Sequence, residues 1–189
     1  MLINKDMTLP QVAAEAWRMI SRAAVDRKHP CRFVVMATAA EAAPGLRYVV
    51  LRAIEEGDLL IYTDARSQKL SELRKQPETS LLFYHPGYRC QVKVMGETKI
   101  HRGDVLSERH WSKVQGETRK AYGSVLPPGA AIDSPEAAYD WPAEIDSEHF
   151  AVLRVQPEHM EVLQLNGLSH LRARFEYHDE QWRGTWLVP

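Results

Sequence analysis

The sequence predicts a mainly β fold with flanking helices, an α+β chain whose strands close into an antiparallel barrel. Two observations predict the barrel. Short apolar or alternating segments recur from Cys31 to Ile100 and again from Phe150 to Val188. The turns between them are tight, so successive strands become antiparallel neighbours, and many short strands joined this way suggest a barrel. A third observation supplies the flanking helix: one amphipathic stretch, near residues 8–28, precedes every strand.

In that stretch Thr8-Leu9-Pro10-Gln11 has the form of a capping box, with Pro tolerated in the first turn. Ala13, Ala16, Trp17, Ile20 and Ala24 then fall three or four apart, which gives one apolar stripe to lay against the barrel. Trp17 at such spacing is core packing. Phe33 to Met36 reads as a buried strand, and the Pro44-Gly45 pair turns the chain toward Arg47. Gly57-Asp58 turns it again, so strands at Arg47 to Ile54 and Leu59 to Thr63 should pair. Thr79 to Tyr84 and Cys90 to Ile100 continue the meander, the latter with Val92 and Val94 on one face and Lys93 and Met95 on the other.

Between them, Tyr62-Thr63-Asp64-Ala65-Arg66-Ser67-Gln68-Lys69 ends a strand, turns and opens a helix with a hydroxyl and two cations. Ser67 suits the N-cap, Leu70 and Leu73 carry the apolar side, and Pro77 stops the helix. Free N–H groups and the positive end of the helix dipole attract an anion, and Arg66, Ser67 and Lys69 add donors. Two readings stay open on this stretch alone: a phosphate seat, or a capped helix with a solvated lysine. Arg47 and Arg52 are five residues apart, so a regular strand sends them to opposite faces unless it bends or bulges.

Helical spacing returns at Asp104 to Gln115 and Thr118 to Tyr122. Residues 127–149 form an acidic excursion, with Asp133, Glu136, Asp140, Glu144, Asp146 and Glu148 and no Lys or Arg over 133–148. A solvated surface loop is favoured over a lid carrying Tyr139 and Trp141. Four closing strands are expected at Phe150 to Val155, Glu161 to Leu165, His170 to Tyr177 and Trp182 to Val188, divided by Pro157, Asn166-Gly167 and Asp179-Glu180. His170, Arg172 and Arg174 would share a face.

With 189 residues, 44% of them hydrophobic, the chain is long enough for one sizeable core, and one domain over 1–189 is expected. Lys plus Arg number 24 against 25 Asp plus Glu, which gives no field for nucleic acid or an anionic membrane. Cys31 and Cys90 are the only cysteines, so neither a disulfide framework nor a zinc site is indicated and a reducing cytoplasm fits. No stretch has the length and apolarity of a membrane span or a signal peptide. The histidines show no metal-ligand spacing, and there is no nucleophile elbow or Walker-type loop.

Four segments together carry a resemblance: Arg47-Tyr48-Val49-Val50-Leu51-Arg52, Tyr62 to Lys69, Gln91-Val92-Lys93-Val94-Met95-Gly96, and the ending with Arg174-Phe175, Trp182 and Leu187-Val188-Pro189. In this order and at this spacing the chain resembles, from about Cys31 to Pro189, the FMN-binding split barrels related to pyridoxamine 5′-phosphate oxidase. The resemblance implies an antiparallel split barrel, bound FMN and a homodimer with two FMN sites at its interface. It implies cofactor contacts from Arg47, Val49, Val50, Leu51, Arg52, Tyr62, Thr63, Ser67, Gln68, Lys69, Gln91, Lys93 and Arg174, with Gln91 and Lys93 reaching across from the other subunit. Substrate contacts fall on Arg52, His170 and Arg172. Gln68 stands where the family has an arginine, a loss that Arg66 could offset. The oxidases have Arg then His where this chain has His170 then Arg172. They also have a flavin-contacting tryptophan near Leu163-Gln164 and a clear Tyr and Arg substrate spacing in the 111–122 region, both lacking here. An altered substrate site follows. Two functional classes remain, an FMN-dependent oxidoreductase and a non-catalytic FMN-binding module, with the first favoured and a genuine oxidase kept open.

Overall fold

The computed structural model describes residues 1–41 and 43–189. Its first element is α1 (Leu9–Val25), where the Gln11 side chain accepts the Thr8 N–H at 2.8 Å. Val12, Ala16, Met19, Ile20 and Ala23 form its buried stripe. The small alanines let the helix lie close to the sheet, and Trp17, only partly buried, meets Trp182 at 6.1 Å between ring centroids. A 3-10 turn at Pro30–Arg32 leads into the strands.

These are β1 (Phe33–Thr38), β2 (Gly45–Glu55), β3 (Asp58–Asp64), β4 (Glu78–His85), β5 (Cys90–His101), β6 (Phe150–Gln164), β7 (Leu171–His178) and β8 (Gln181–Leu187). They run in the order β3-β2-β1-β4-β5-β6-β7-β8, and every pairing is antiparallel. A further pairing of β3 with β6 closes the first six into a barrel, with β7 and β8 continuing outward from β6. The expected mainly β barrel with flanking helices is the architecture observed.

Alternation fills the barrel. Val34 and Met36, Val49 and Leu51, Leu59 and Ile61, Leu81 and Phe83, and Val92 and Val94 point inward and are buried. Each contributes about 1.5–3 kcal/mol on leaving water. On β3 and β6 the outward side is apolar too, because α3 (Val105–Trp111) and a 3-10 segment at Gly116–Tyr122 cover it. Phe150 sits there with its ring centroid 5.1 Å from those of Tyr62 and Tyr122 and 5.2 Å from that of Trp111.

One expectation fails at Pro157. Four closing strands were expected, and the structure has three, since β6 runs unbroken through the proline. The register of β5 against β6 shifts there, from Met95 opposite His159 to Gly96 opposite Pro157, so the missing proline N–H falls at a bulge where the ladder is already interrupted. Gly96 permits it: a Cβ at that position would lie 1.8 Å from the Gln156 carbonyl oxygen. The acidic segment between α3 and β6 has a single 3-10 turn at Pro135–Ala138 and is largely exposed. Trp141 docks back by donating to the Lys120 carbonyl at 3.0 Å. Among the described residues no helix is long and apolar enough to cross a membrane, and no three His, Cys, Asp or Glu side chains gather to hold a metal.

Candidate functional site

The residues singled out from sequence fall into three places. The first is the start of α2 (Gln68–Lys75), which follows β3 after the turn Asp64 to Ser67. Ser67 is the N-cap by position, but its hydroxyl donates to the Asp64 carbonyl at 2.7 Å and leaves the helix start without a side-chain cap. Lys69 bends back over it, Nζ donating to Ser67 Oγ at 2.9 Å and to Thr63 Oγ1 at 2.8 Å. Burial lowers the Lys69 ammonium from its ordinary value, and the Arg47 charge lowers it further. The uncapped helix N–H groups and the desolvated Lys69 ammonium, steadied by the two hydroxyls, form a donor set that suits a phosphate.

Arg47 belongs to the same end of the barrel and is already engaged. Its guanidinium pairs with Glu72 of α2 at 2.9 Å, accepted also by the Gly45 carbonyl at 3.1 Å and by Thr38 Oγ1. Glu72 is buried; burial pushes its carboxyl up, but bonds from Thr38 and Arg47 prevail and hold it below its usual range. Two expectations need correction here. Arg66 does not join the seat: it forms a two-point pair with Asp64, at 2.7 and 3.1 Å, and donates to the Ser124 and Val125 carbonyls, so it cannot offset the cation lost at Gln68. Gln68 itself is exposed. Val49 and Leu51 send their side chains into the core, which leaves Val50 as the member of that trio facing outward.

The second place is a cleft lined by Arg27, Arg32, Val50, Arg52, Tyr62 and Lys113, among others. The strand is irregular at Arg52, where pairing with β3 shifts between Leu51 and Ala53, yet Arg47 and Arg52 still serve different places. Arg52 lies over the Tyr62 ring, 5.5 Å from its centroid, and reaches the Tyr122 hydroxyl at 3.5 Å, while its buried Nε has no partner. Among the described residues, Arg27, Arg32 and Arg52 have no carboxylate within ion-pair distance. Neighbouring Tyr62 and Thr63 join the cleft to the seat, one side chain on each. Sequence reasoning missed Arg27, Arg32 and Lys113, which lie outside any motif.

The third place is the outer face of β5, β6 and β7. Lys93 and Arg174 stand opposite Glu161 in register, and Gln91 and Arg172 stand opposite Leu163. Glu161 accepts from Arg172 at 3.0 Å and lies 3.8 Å from Lys93, while Arg174 is exposed. His170 does not share this face. It precedes β7 in the turn, with Nδ1 accepting the Asn166 N–H at 2.9 Å, so the expected line of three cationic or titratable groups reduces to Arg172 and Arg174. Neither arginine joins Arg52 in its cleft within one chain.

The barrel thus carries a donor set suited to a phosphate beside a cationic cleft. Residues 14–102 match the family described as pyridoxamine 5′-phosphate oxidase, FMN-binding domain. A pyridoxine/pyridoxamine 5′-phosphate oxidase of Acinetobacter baumannii is 29% identical, over 88% of this chain and 81% of its own. The Legionella pneumophila enzyme of the same name is 24% identical, over 87% and 80%. Two solved structures share the fold at a TM-score of 0.76. One is a pyridoxamine 5′-phosphate oxidase-related, FMN-binding protein from Nostoc punctiforme, 24% identical over 97% of this chain and all (100%) of that one. The other is PhzG from Burkholderia lata in complex with tetrahydrophenazine-1-carboxylic acid, 19% identical over 98% and 95%. Over residues 14–102 in sequence, and over nearly the whole chain in fold, the protein resembles the pyridoxamine 5′-phosphate oxidase-related FMN-binding split barrels.

Proposed function

We propose that this protein is an FMN-dependent oxidoreductase, active as a homodimer, that takes a small anionic substrate in a site altered from that of the pyridoxamine 5′-phosphate oxidases. The observation that carries this reading is the cleft beside the seat, where Arg27, Arg32 and Arg52 gather without a carboxylate partner. Arg27 is exposed and Arg32 and Arg52 are partly buried, so their like charges repel one another and an anion in the cleft relieves that repulsion. FMN, when bound, supplies a two-electron acceptor, so the chain's task is to hold the phosphate, orient the donor and exclude water. Thr63, Ser67 and Lys69 hold the phosphate, Arg52 holds the donor's anionic group, and Tyr62 forms the wall between them.

The homodimer accounts for the third place. Gln91, Lys93, Arg172 and Arg174 lie on an outer barrel face that also exposes Phe33, Leu46, Tyr48 and Tyr84. A second copy seated there covers the apolar side chains and brings these polar groups to its partner's seat. The site departs from the oxidases because His170 is tied to Asn166 and Arg172 to Glu161.

Loading the purified protein with FMN and offering reduced nicotinamide or pyridoxamine 5′-phosphate without oxygen tests the reading. Bleaching of the flavin by a donor supports an oxidoreductase; FMN that stays oxidised with every donor makes the protein a binding module. Aldehyde formation from pyridoxamine 5′-phosphate at the rate of a genuine oxidase overturns the altered site. Losing two charge-assisted bonds, at about 1.5–3 kcal/mol each, should slow that reaction by orders of magnitude.

A further inference from the structure

Glu55, His110 and Tyr62 form a chain of polar groups that ends in the Arg52 cleft, with partly buried Glu55 and Tyr62 on either side of His110. His110, on the last turn of α3, is wholly buried. Its Nδ1 is 2.7 Å from Tyr62 Oη, and its Nε2 is 3.2 Å from Glu55 Oε1. The second contact is off the line of a good hydrogen bond, which leaves Nε2 a buried group that a small carboxylate rotation would satisfy.

The carboxylate beside Nε2 favours one direction for the chain. A neutral imidazole has one N–H, and a carboxylate only accepts, so the proton belongs on Nε2 facing Glu55. Nδ1 therefore accepts, and Tyr62 O–H donates to it. The remaining lone pair of Tyr62 Oη is left for a group in the cleft that its side chain lines. His110 has one hydrogen-bond partner, Tyr62, and one near carboxylate, Glu55, on a different strand, and Tyr62 lines the cleft beside the unpartnered Arg52 Nε.

Resting on the oxidoreductase reading, we propose that Tyr62, His110 and Glu55 are a proton relay for the oxidation of an anionic alcohol or amine held by Arg52, with Tyr62 Oη as the proton-accepting atom. The donor's O–H or N–H bond breaks and its proton goes to Tyr62 Oη. The Tyr62 O–H proton passes to His110 Nδ1, and the imidazolium so formed faces the Glu55 carboxylate. FMN, when bound, would be the oxidant that takes the donor's C–H hydrogen with its electron pair, leaving the donor with a C=O or C=N bond. In this scheme Tyr62 is a catalytic residue, while His110 and Glu55 act through it as positioning residues.

The charges around the relay suit a neutral resting state. Burial lowers the His110 pKa and pushes Tyr62 up to about 12. Glu55 is also held by Arg109 and lies 3.7 Å from Lys113, and both cations oppose a second positive charge on His110. Arg52 faces Tyr62 from β2 and favours a phenolate, while Tyr122 and Glu55 oppose one. A proton therefore dwells on His110 only briefly, which is what a relay requires.

Two measurements test this. In flavin-free protein at neutral pH, nitrogen NMR of the His110 ring should show the neutral form protonated at Nε2; protonation at Nδ1 overturns the relay, because Tyr62 could not then hand its proton on. In FMN-loaded protein without oxygen, single-turnover flavin reduction by pyridoxine 5′-phosphate serves as the alcohol probe. His110→Gln and Tyr62→Phe should each slow reduction about a hundredfold or more and flatten the pH profile, and His110→Gln should leave the probe's affinity unchanged. Glu55→Gln should slow it less. Unaltered reduction in His110→Gln overturns the relay alone. Failure of the unaltered protein to reduce its flavin with this probe, with pyridoxamine 5′-phosphate and with reduced nicotinamide alike overturns the oxidoreductase reading and the relay's role with it.

Discussion

Lys69 Nζ reaches back six residues to Thr63 Oγ1, 2.8 Å away, and so lies over the start of its own helix. A bound phosphate would meet this ammonium where water has been partly excluded. Lys69→Ala should weaken FMN binding about tenfold to a hundredfold, the effect of about 1.5–3 kcal/mol for one charge-assisted bond. Lys75→Ala is the control, because that side chain is exposed and pairs with exposed Glu41. Fluorescence titration of the apoprotein with FMN compares them, and equal losses would remove the seat.

Removing Arg47 strands a buried carboxylate. Arg47→Ala should destabilise the protein by about 3 kcal/mol, the lower end for breaking a buried pair, since the arginine itself is partly exposed. Urea unfolding should show a lower midpoint with an unchanged slope. The Glu72 carboxyl is depressed in the folded protein, so the stability it gives is complete above its ordinary value of 4.5 and fades as pH falls through the lower folded value. Glu72→Gln should shrink that acid-side loss.

His110 places a second pH dependence nearer neutrality. Its folded pKa lies below the ordinary 6.5, which means the unfolded chain takes up the proton first as pH falls. Stability from the neutral ring is full above 6.5 and is lost as pH drops from there toward the folded value. Thermal unfolding of His110→Gln across this window should show a flatter curve. An identical slope would mean that the ring is freely hydrated.

Gly96→Ala attacks the bulge. The added methyl would stand 1.8 Å from a backbone oxygen, which no side-chain rotation relieves. A loss of about 1–3 kcal/mol is expected, larger than for alanine placed at the open turn position Gly87, whose nearest neighbour is a movable histidine ring. Denaturant melts of the two variants decide it.

For the dimer, sedimentation of the FMN-loaded protein should give twice the chain mass. Tyr48 is 73% exposed on the outer face, and Tyr48→Asp should yield a monomer that binds FMN poorly. A monomer that keeps its FMN would mean that Gln91, Lys93 and Arg174 do not act across subunits.

Alternation and turn residues were enough to read the meander, because each hairpin there is local: Gly57-Asp58 and the Val92, Val94 face appear in the structure as the sequence implies. The middle of β6 was not legible, since Pro157 marks a break in isolation and only its partner Gly96, distant in sequence, makes the bulge that accepts it. The seat's composition was legible, but its bonding was not. Ser67 turns its hydroxyl to Asp64, and Arg66 is drawn away by carbonyls at 124 and 125 that no local pattern announces. His110 and Tyr62 meet across 48 residues, and nothing in either segment signals the other.

The length of β6 ties two parts of the molecule to one ruler. Its first half pairs with β3 and its second half with β7, so Pro157 lies where the strand changes partners. Side chains alternate with a period of two, and deleting one residue at 156–158 would therefore turn Glu161 and Leu163 to the opposite side. Arg172 and Arg174, set by pairing with them, would follow or lose register. Length variation should be accepted in the exposed 127–147 stretch and refused at this strand, which makes β6 the gauge that spaces the arginine-bearing arm from the barrel.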